Sequence, residues 1–395
     1  MSTATVRLGD VATFVRGITF KPADVLDGVT ADAVGCMRTK NVQSKLDETD
    51  VWFLPKNFVA NKNQVLQEGD LLVSTANSWN LVGKACWVPK LNYECTFGGF
   101  ISALRATDAL VDRRYLYYWF TSAKIQAKLR SFGNKTTNIS NLSIKRANDL
   151  VIPLPPLAEQ KRIAAILDKA AEIKAKREQA IAKLDELAQS TFVEMFRQHI
   201  ENDKVELRSI CERITDGTHQ SPKWVENGIP FIFISNIVNG EINLNTSKFI
   251  SSSTYDELTR NCSINIGDVL YTTVGSYGNI ALVRNDEKFA FQRHIAHIKP
   301  KRNIVNSQFM ASMLRCDFVR RQVDKVARGV AQKTVNLGDL SKLNVICPPI
   351  QLQNEFEKKV LLIEAMKAKA FATSLSTTQL TSSLQHQAFT TGFNA

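Results

Sequence analysis

The sequence predicts an α+β chain organised as an internal repeat. Two similar mixed α/β globular units are each followed by a long helix, and the two helices pair antiparallel as a coiled-coil-like stalk. Three observations predict this. First, some 40 residues after Pro155 and Pro156 contain no Pro or Gly and are dominated by Ala, Leu, Ile, Glu, Lys, Gln and Arg, the strong helix formers. Second, motifs of the first half return in the same order in the second half. Third, a second Pro-Pro pair, Pro348 and Pro349, opens another long stretch of helical character. The boundaries that follow are 1–153 for the first globular unit, 154–200 for the first long helix, 201–347 for the second unit and 348–395 for the second helix.

In the first unit, short β-rich runs with Gly and Asn turns fall at Asp70–Ser74, Val82–Val88 and Phe100–Arg105. A helical segment follows at Arg113–Arg130, with Leu116, Phe120, Ile125 and Leu129 on its inner face. A polar loop at Ser131–Asn141 and a short strand around Leu150–Pro153 lead into the long helix. That helix, Pro155–Phe196, carries an apolar stripe at Ile163, Ile166 or Leu167, Ala170, Ile173, Ala180 or Ile181, Leu184 and Leu187. At 1.5 Å per residue it is roughly 60 Å long, too long for the core of one domain, so its narrow stripe calls for a partner helix.

The repeat supplies that partner. VRLGDVATFVRG at Val6 is echoed by VELRSICERITDG at Val205, and EGDLLVSTANSWNLVGKACWV at Glu68 by IGDVLYTTVGSYGNIALV at Ile266. TFGGFISALRA at Thr96 is echoed by FAFQRHIAHIKP at Phe289, NISNLSI at Asn138 by NLGDLSK at Asn336, and LPPLAEQKRI at Leu154 by CPPIQLQNEF at Cys347. The second helix, Ile350 to about Phe389, has a looser stripe of Phe356, Val360, Ile363, Met366, Ala370, Leu380 and Leu384. Its Ser/Thr-rich second half is poor helix on propensity and needs tertiary support from the first helix. Antiparallel pairing would place the globular units at opposite ends of the stalk.

At 395 residues the chain is long enough for two or three domains, and no apolar run reaches 18 residues, so no membrane span is expected. The N-terminus does not resemble a signal peptide, and the seven scattered cysteines read as reduced thiols of a cytoplasmic protein. The formal net charge of +12 favours a polyanionic partner. Catalytic signatures are missing: there is no GxGxxG, no GxxxxGK[ST], and neither Pro-Pro pair follows an Asn or Asp as the loop of adenine methyltransferases requires. His294 and His297, three apart in a β-like run, point to opposite faces and fit a basic or core role better than a metal pair. Asp70 and Asp268 follow a Gly at a strand start and read as turn caps. No cofactor or metal site is expected.

The remaining polar segments mix Arg, Lys, Asn, Gln, Ser and Thr with Trp or Tyr, and such residues can bond base edges and phosphates. In the first copy the candidates are Arg38, Lys40, Asn41, Asn77, Trp79, Asn80, Lys135, Thr136 and Asn138. In the second they are Ser235, Asn236, Ser276, Tyr277, Arg293, His294, Arg328, Gln332, Lys333 and Thr334. They recur at equivalent points of both copies while differing in sequence. This suits a scaffold that reads two different things with one architecture.

LPPLAEQKRIAAILD, placed between a globular unit and a long helix and echoed by a second Pro-Pro helix, resembles the specificity subunits of type I restriction-modification systems. The strand motifs at Glu68 and Ile266 and the loops before Asn138 and Asn336 are similar to the same family, and the resemblance covers nearly the whole chain. The second copy departs from it at Leu352, which stands where the first has Glu159, although Gln353 still matches Gln160. The resemblance implies that each globular unit is a target recognition domain reading one half of a bipartite double-stranded DNA sequence. It implies too that the helices act as a ruler for the unread spacer, and the stalk length, close to two turns of B-DNA at roughly 34–36 Å each, supports this. It implies a non-catalytic subunit that assembles with two modification subunits, methyltransferases acting on adenine with S-adenosylmethionine. Two restriction subunits, ATP-driven translocases with a nuclease, can join them. Lys169, Lys174, Lys176, Arg177, Glu178 and Lys183 form a candidate docking face on the stalk. The competing readings are a fragment of a fused restriction-methylation enzyme and a helical scaffold that makes protein contacts only.

Overall fold

The computed structural model describes residues 4–107, 110–135, 139–329 and 332–390. It divides into two compact units: Met1–Arg177 with Thr373–Ala395, and Glu178–Ala372. Each therefore combines one globular repeat with part of each long helix, Leu157–Asn202 and Ile350–Thr390.

In the first unit a four-stranded antiparallel sheet runs in the order Ala12–Arg16, Ile101–Ala106, Leu71–Ser74, Ala85–Trp87. A three-stranded sheet has Ala33–Met37 at its centre, antiparallel to Trp52–Pro55 and parallel to Cys95–Phe97. The N-terminal strand Thr5–Arg7 pairs with Val151–Pro153, immediately ahead of the Pro-Pro joint.

The second unit repeats this strand by strand. Its four-stranded sheet is Cys211–Asp216, Ile295–Pro300, Val269–Thr272, Ile280–Leu282, and its three-stranded sheet centres on Ile229–Ile232. Lys204–Glu206 pairs with Asn344–Ile346. The register is also repeated: Leu71 faces Leu104 as Val269 faces Ile298, and Met37 faces Phe97 as Ile232 faces Phe291.

One turn explains why the Gly-Asp pair recurs. Gly69 and Gly267 enter the central strand with φ of +90° and +89°, a region that side chains with a Cβ avoid. The aspartate that follows caps the turn as expected: Asp70 accepts the Gln67 N–H and Asp268 the Asn265 N–H, each at 2.9 Å. Both carboxylates do more than cap. Asp70 is buried and forked by Arg105, with nitrogens at 2.8 and 2.7 Å. Asp268 is buried against His297 Nε2 at 2.7 Å and Lys299 Nζ at 2.8 Å, with Arg302 at 3.3 Å. A buried carboxylate persists only when it is paired in this way.

The predicted helix over Arg113–Arg130 is two helices, Arg113–Phe120 and Ala123–Ser131. The hydroxyls of Thr121 and Ser122 bond back to the carbonyls of Tyr117 and Trp119, each at 2.7 Å, and end the first helix. Leu116, Phe120, Ile125 and Leu129 are nonetheless all buried. The second unit breaks at the matching place, into Ser307–Arg315 and Asp317–Val326.

Within each unit the long helices run antiparallel. In the first, Ile163, Ala164 and Leu167 share a core with Ala388 and with partly buried Leu384 and Phe389, and Arg177 donates to the Thr373 carbonyl. In the second, Lys367 pairs with Asp185 at 2.6 Å, and the Phe196 ring lies 5.4 Å from that of Phe356. The apolar stripe is narrower than the sequence suggests, because Ile173 and Leu187 are exposed. Phe192 and Phe196 are buried instead, in an aromatic cluster with Phe309 and Phe356. Each buried Phe stabilises by about 1.5–3 kcal/mol. The Ser/Thr-rich half of the second helix is supported by hydroxyls that bond one turn back, Thr377 to the Thr373 carbonyl and Thr381 to the Thr377 carbonyl. It is also held by a bond from Gln385 to the Tyr118 carbonyl.

The Pro-Pro joints are locked by one glutamine each. Gln160 Oε1 accepts the Asp112 N–H at 2.9 Å while its amide donates to the carbonyls of Leu110 and Pro155. Gln353 does the same with the Asn306 N–H at 2.8 Å and the carbonyls of Ile304 and Pro348. Asp112 and Asn306 are in turn the N-caps of the helices Arg113–Phe120 and Ser307–Arg315.

Candidate nucleic-acid interface

The sequence places its candidate residues on separate loops, and the fold brings them together. In the first unit, Leu71–Ser74 continues into Ala76–Asn77, which pairs with Ser140–Leu142 of the polar loop. That strand also forms a hairpin with Gly133–Lys135. The Arg38–Asn41 turn joins from the other side, since Lys84 donates to Gln43 at 2.7 Å and Gln43 donates to the Lys40 carbonyl.

The second unit rebuilds this convergence with different residues. Val274 bridges to Thr334, and Arg328 exchanges both backbone hydrogen bonds with Thr334. Gly275 N–H reaches the Lys333 carbonyl at 2.9 Å, and a Cβ on Gly275 would touch both Ile234 and Gln332. The Gln292–His294 segment closes the group through a 2.9 Å bond from the Thr273 N–H to the His294 carbonyl.

The candidates divide by what their side chains already do. Asn41 and Asn236 are buried, and their amides are spent on the chain. Asn41 accepts the Arg38 N–H and donates to the carbonyls of Asp47 and Asp50. Asn236 accepts the Phe233 N–H and donates to those of Asn243 and Asn245. These two are scaffold residues and leave the candidate set. Arg38 stacks on Trp52 at 3.7 Å and, with Lys40, closes on Asp50. The hydrogen bond from Lys40, then that from Arg38, holds the Asp50 carboxyl below its usual range. Tyr277 is half-buried, gives its hydroxyl to Asp324 at 2.8 Å and has the Arg320 guanidinium over one face of its ring.

Trp79 and Asn80 are exposed, Trp79 by 49 %, and Asn77 is half-buried against Ser74. Ser235, Ser276, Arg293, Arg328, Gln332 and Lys333 are exposed, and Thr334 is half-buried. Arg328 lies 3.7 Å from Asp339. His294 is half-buried; burial first, and then the Arg293 charge, lowers its pKa, so the ring is neutral near pH 7. Thr136 and Asn138 lie outside the described residues, as does the side chain of Lys135.

Phe100 was absent from the candidates and belongs among them. It is 66 % exposed, and its carbonyl accepts the N–H groups of Thr75 and Ala76. The signal was present in the repeat: Ile101 pairs with Ser74 as Ile295 pairs with Thr272, which sets Phe100 at the position of His294.

Among the described residues no group of three or more His, Cys, Asp and Glu could hold a metal, and all seven cysteines are free thiols. His297 lies buried beneath the surface on Asp268, with Cys262 Sγ 3.4 Å from its Nδ1. Among the same residues no helix is long and apolar enough to cross a membrane.

Comparison with known proteins agrees with this architecture. The family model of the type I restriction modification DNA specificity domain matches twice, over residues 2–184 and 200–358. The EcoKI specificity subunit of Escherichia coli K12 is 26% identical over 373 residues, covering 89% of this chain and 79% of the relative. The StySPI specificity subunit of Salmonella potsdam is 31% identical over 198 residues, covering 50% of this chain and 41% of the relative. A type I restriction-modification S subunit from M. genitalium superposes with a TM-score of 0.55 at 15% identity, covering 98% of this chain and 99% of that one. With two family matches that together take in most of its length, each on one of the two structural repeats, the chain belongs to the type I restriction-modification DNA specificity family.

Proposed function

We propose that the chain is the sequence-reading subunit of a type I restriction-modification complex and that each globular repeat reads one half-site of a bipartite duplex DNA target. The observation that carries this is the twofold convergence of polar loops on one scaffold, with side chains that differ between copies. A shared frame with divergent tips fits two different half-sites, and the excess of basic residues suits a phosphate backbone. The domains are proposed as 1–153 and 201–347 for recognition, with the helical segments 154–200 and 348–395 setting the length of the unread spacer.

The chain is proposed to be non-catalytic and to work in the cytoplasm with two modification subunits, which supply the adenine methyl transfer, and with two restriction subunits where the host has them. The pseudo-repeat suits recruitment of two identical partners. The stalk is the proposed docking region, though Lys169 and Lys176 are engaged with Glu172 at 2.9 and 2.6 Å. Those two cations, Lys176 first, lower the Glu172 carboxyl to about 2. Docking then has to break or reuse those two ion pairs.

Duplex binding measured across a salt series tests the reading. Affinity for the target should fall steeply with salt as Lys and Arg displace counterions. Lack of binding at low salt would favour a protein-only scaffold, and methyl transfer by the lone chain would favour an enzyme.

A further inference from the structure

Phe100 is an exposed aromatic ring on a fixed mount. Its carbonyl accepts three hydrogen bonds, from the N–H groups of Thr75 and Ala76 at 3.0 Å each and from the Thr75 hydroxyl at 3.1 Å. The next residue, Ile101, is fully buried in the four-stranded sheet. The backbone thus cannot swing the ring away, yet 66 % of the residue remains exposed. It adjoins the strand Ala76–Asn77 at the centre of the loop convergence. The second unit puts His294 at the same position, with a 3.3 Å contact from Arg293 Nε to its Nε2. One repeat therefore presents a hydrocarbon face where the other presents a hydrogen-bonding ring.

We propose that Phe100 reads the C5-methyl group of a thymine in the half-site of the first unit. The inference rests on the DNA-recognition reading above. A phenyl ring offers no hydrogen bond to a base edge, and the thymine methyl is the one apolar group that bases display in the major groove. A pre-positioned ring seats on that methyl without losing chain entropy, which makes the contact a discriminating one.

The test uses the complex assembled with its modification subunits and the target found by selection from random duplexes. Each thymine of the first half-site, on either strand, is replaced in turn by uracil, which removes only the methyl. For the wild type one uracil should weaken binding about 3–10-fold, the worth of one buried methyl group. Phe100→Ala should lose a similar factor on the thymine target and be indifferent to that same uracil, while Phe100→Leu keeps part of the discrimination. Thermal unfolding of both variants should match the wild type, since the ring is exposed.

The proposal is overturned if no uracil distinguishes wild type from Phe100→Ala, as a ring wedged between base steps would give. It is also overturned if Phe100→Ala loses equally on target and random duplex, or if the first half-site contains no A·T pair. Failure of the wild type to prefer any sequence would overturn the DNA-recognition reading itself, an outcome distinct from these.

Discussion

The side-chain oxygen of Gln160 accepts a 2.9 Å hydrogen bond from the backbone N–H of Asp112, and this bond ties the start of the long helix to the N-cap of the helix Arg113–Phe120. Gln160 is 1 % exposed and makes three such bonds, as Gln353 does in the second unit. The recurring Pro-Pro-x-x-x-Gln spacing is therefore a joint: the prolines stop the preceding strand and the glutamine fixes the exit angle. Its neighbour is dispensable to that joint. Glu159 sits outside, in an exposed ion pair with Arg162. Leu352, at the same place in the second copy, packs on the core.

Truncation of the glutamine should accordingly be costly and truncation of the glutamate should not. Gln160→Ala leaves the Asp112 N–H and two carbonyls without partners, at a cost of about 2 kcal/mol. Glu159→Ala should stay within about 0.5 kcal/mol of wild type, as exposed pairs do. Denaturant titration with hydrogen exchange over residues 113–131 checks both.

Asn41→Ala and Asn236→Ala should each destabilise by about 2 kcal/mol, because buried backbone groups lose their partner. They should leave the methylated sequence unchanged. A relaxed half-site in either variant, read from the modified motif, would return these residues to the reading surface.

How much of this was legible in the sequence depends on the range of the interaction. The long helices, the repeat and the turn at Gly69–Asp70 were legible because they rest on local propensity, spacing and one glycine geometry. The break at Thr121–Ser122 was not, since those hydroxyls look like ordinary helix surface until their backbone bonds are seen. Among the candidate site residues, Asn41 and Asn236 were indistinguishable from exposed loop amides, because burial of a loop depends on contacts distant in sequence. Phe100 escaped because it opens the β-rich run Phe100–Arg105, whose pattern gives no sign that its first ring stays in solvent.

Acid should weaken the second unit through Asp268. Burial pushes its pKa up, but the hydrogen bonds from His297 and Lys299 outweigh this and leave it below the usual carboxylate value. A depressed folded-state pKa contributes stability that is present above the unfolded value, about 3.9, and is lost as pH falls below it. Asp268→Asn should remove this dependence and cost about 3 kcal/mol at neutral pH by stranding its buried partners. Unfolding followed from pH 7 down to about pH 2 checks the slope and the offset.

Changing the stalk should change the spacer and nothing else. Inserting or deleting one helical turn between Ala175 and Ala182 should alter the number of unread base pairs and leave both half-site sequences intact. Exchanging residues 1–153 for another recognition unit should replace one half-site alone. The methylated motif of each variant, obtained by sequencing modified DNA, reports both outcomes.

The central claim is that two divergent repeats on one scaffold read two half-sites. Sequencing of DNA methylated by the complex containing this chain tests it most directly. The account predicts one motif of two short, dissimilar, defined blocks separated by a spacer of fixed length and undefined sequence. A single continuous motif, or methylation without any enriched sequence, would contradict it.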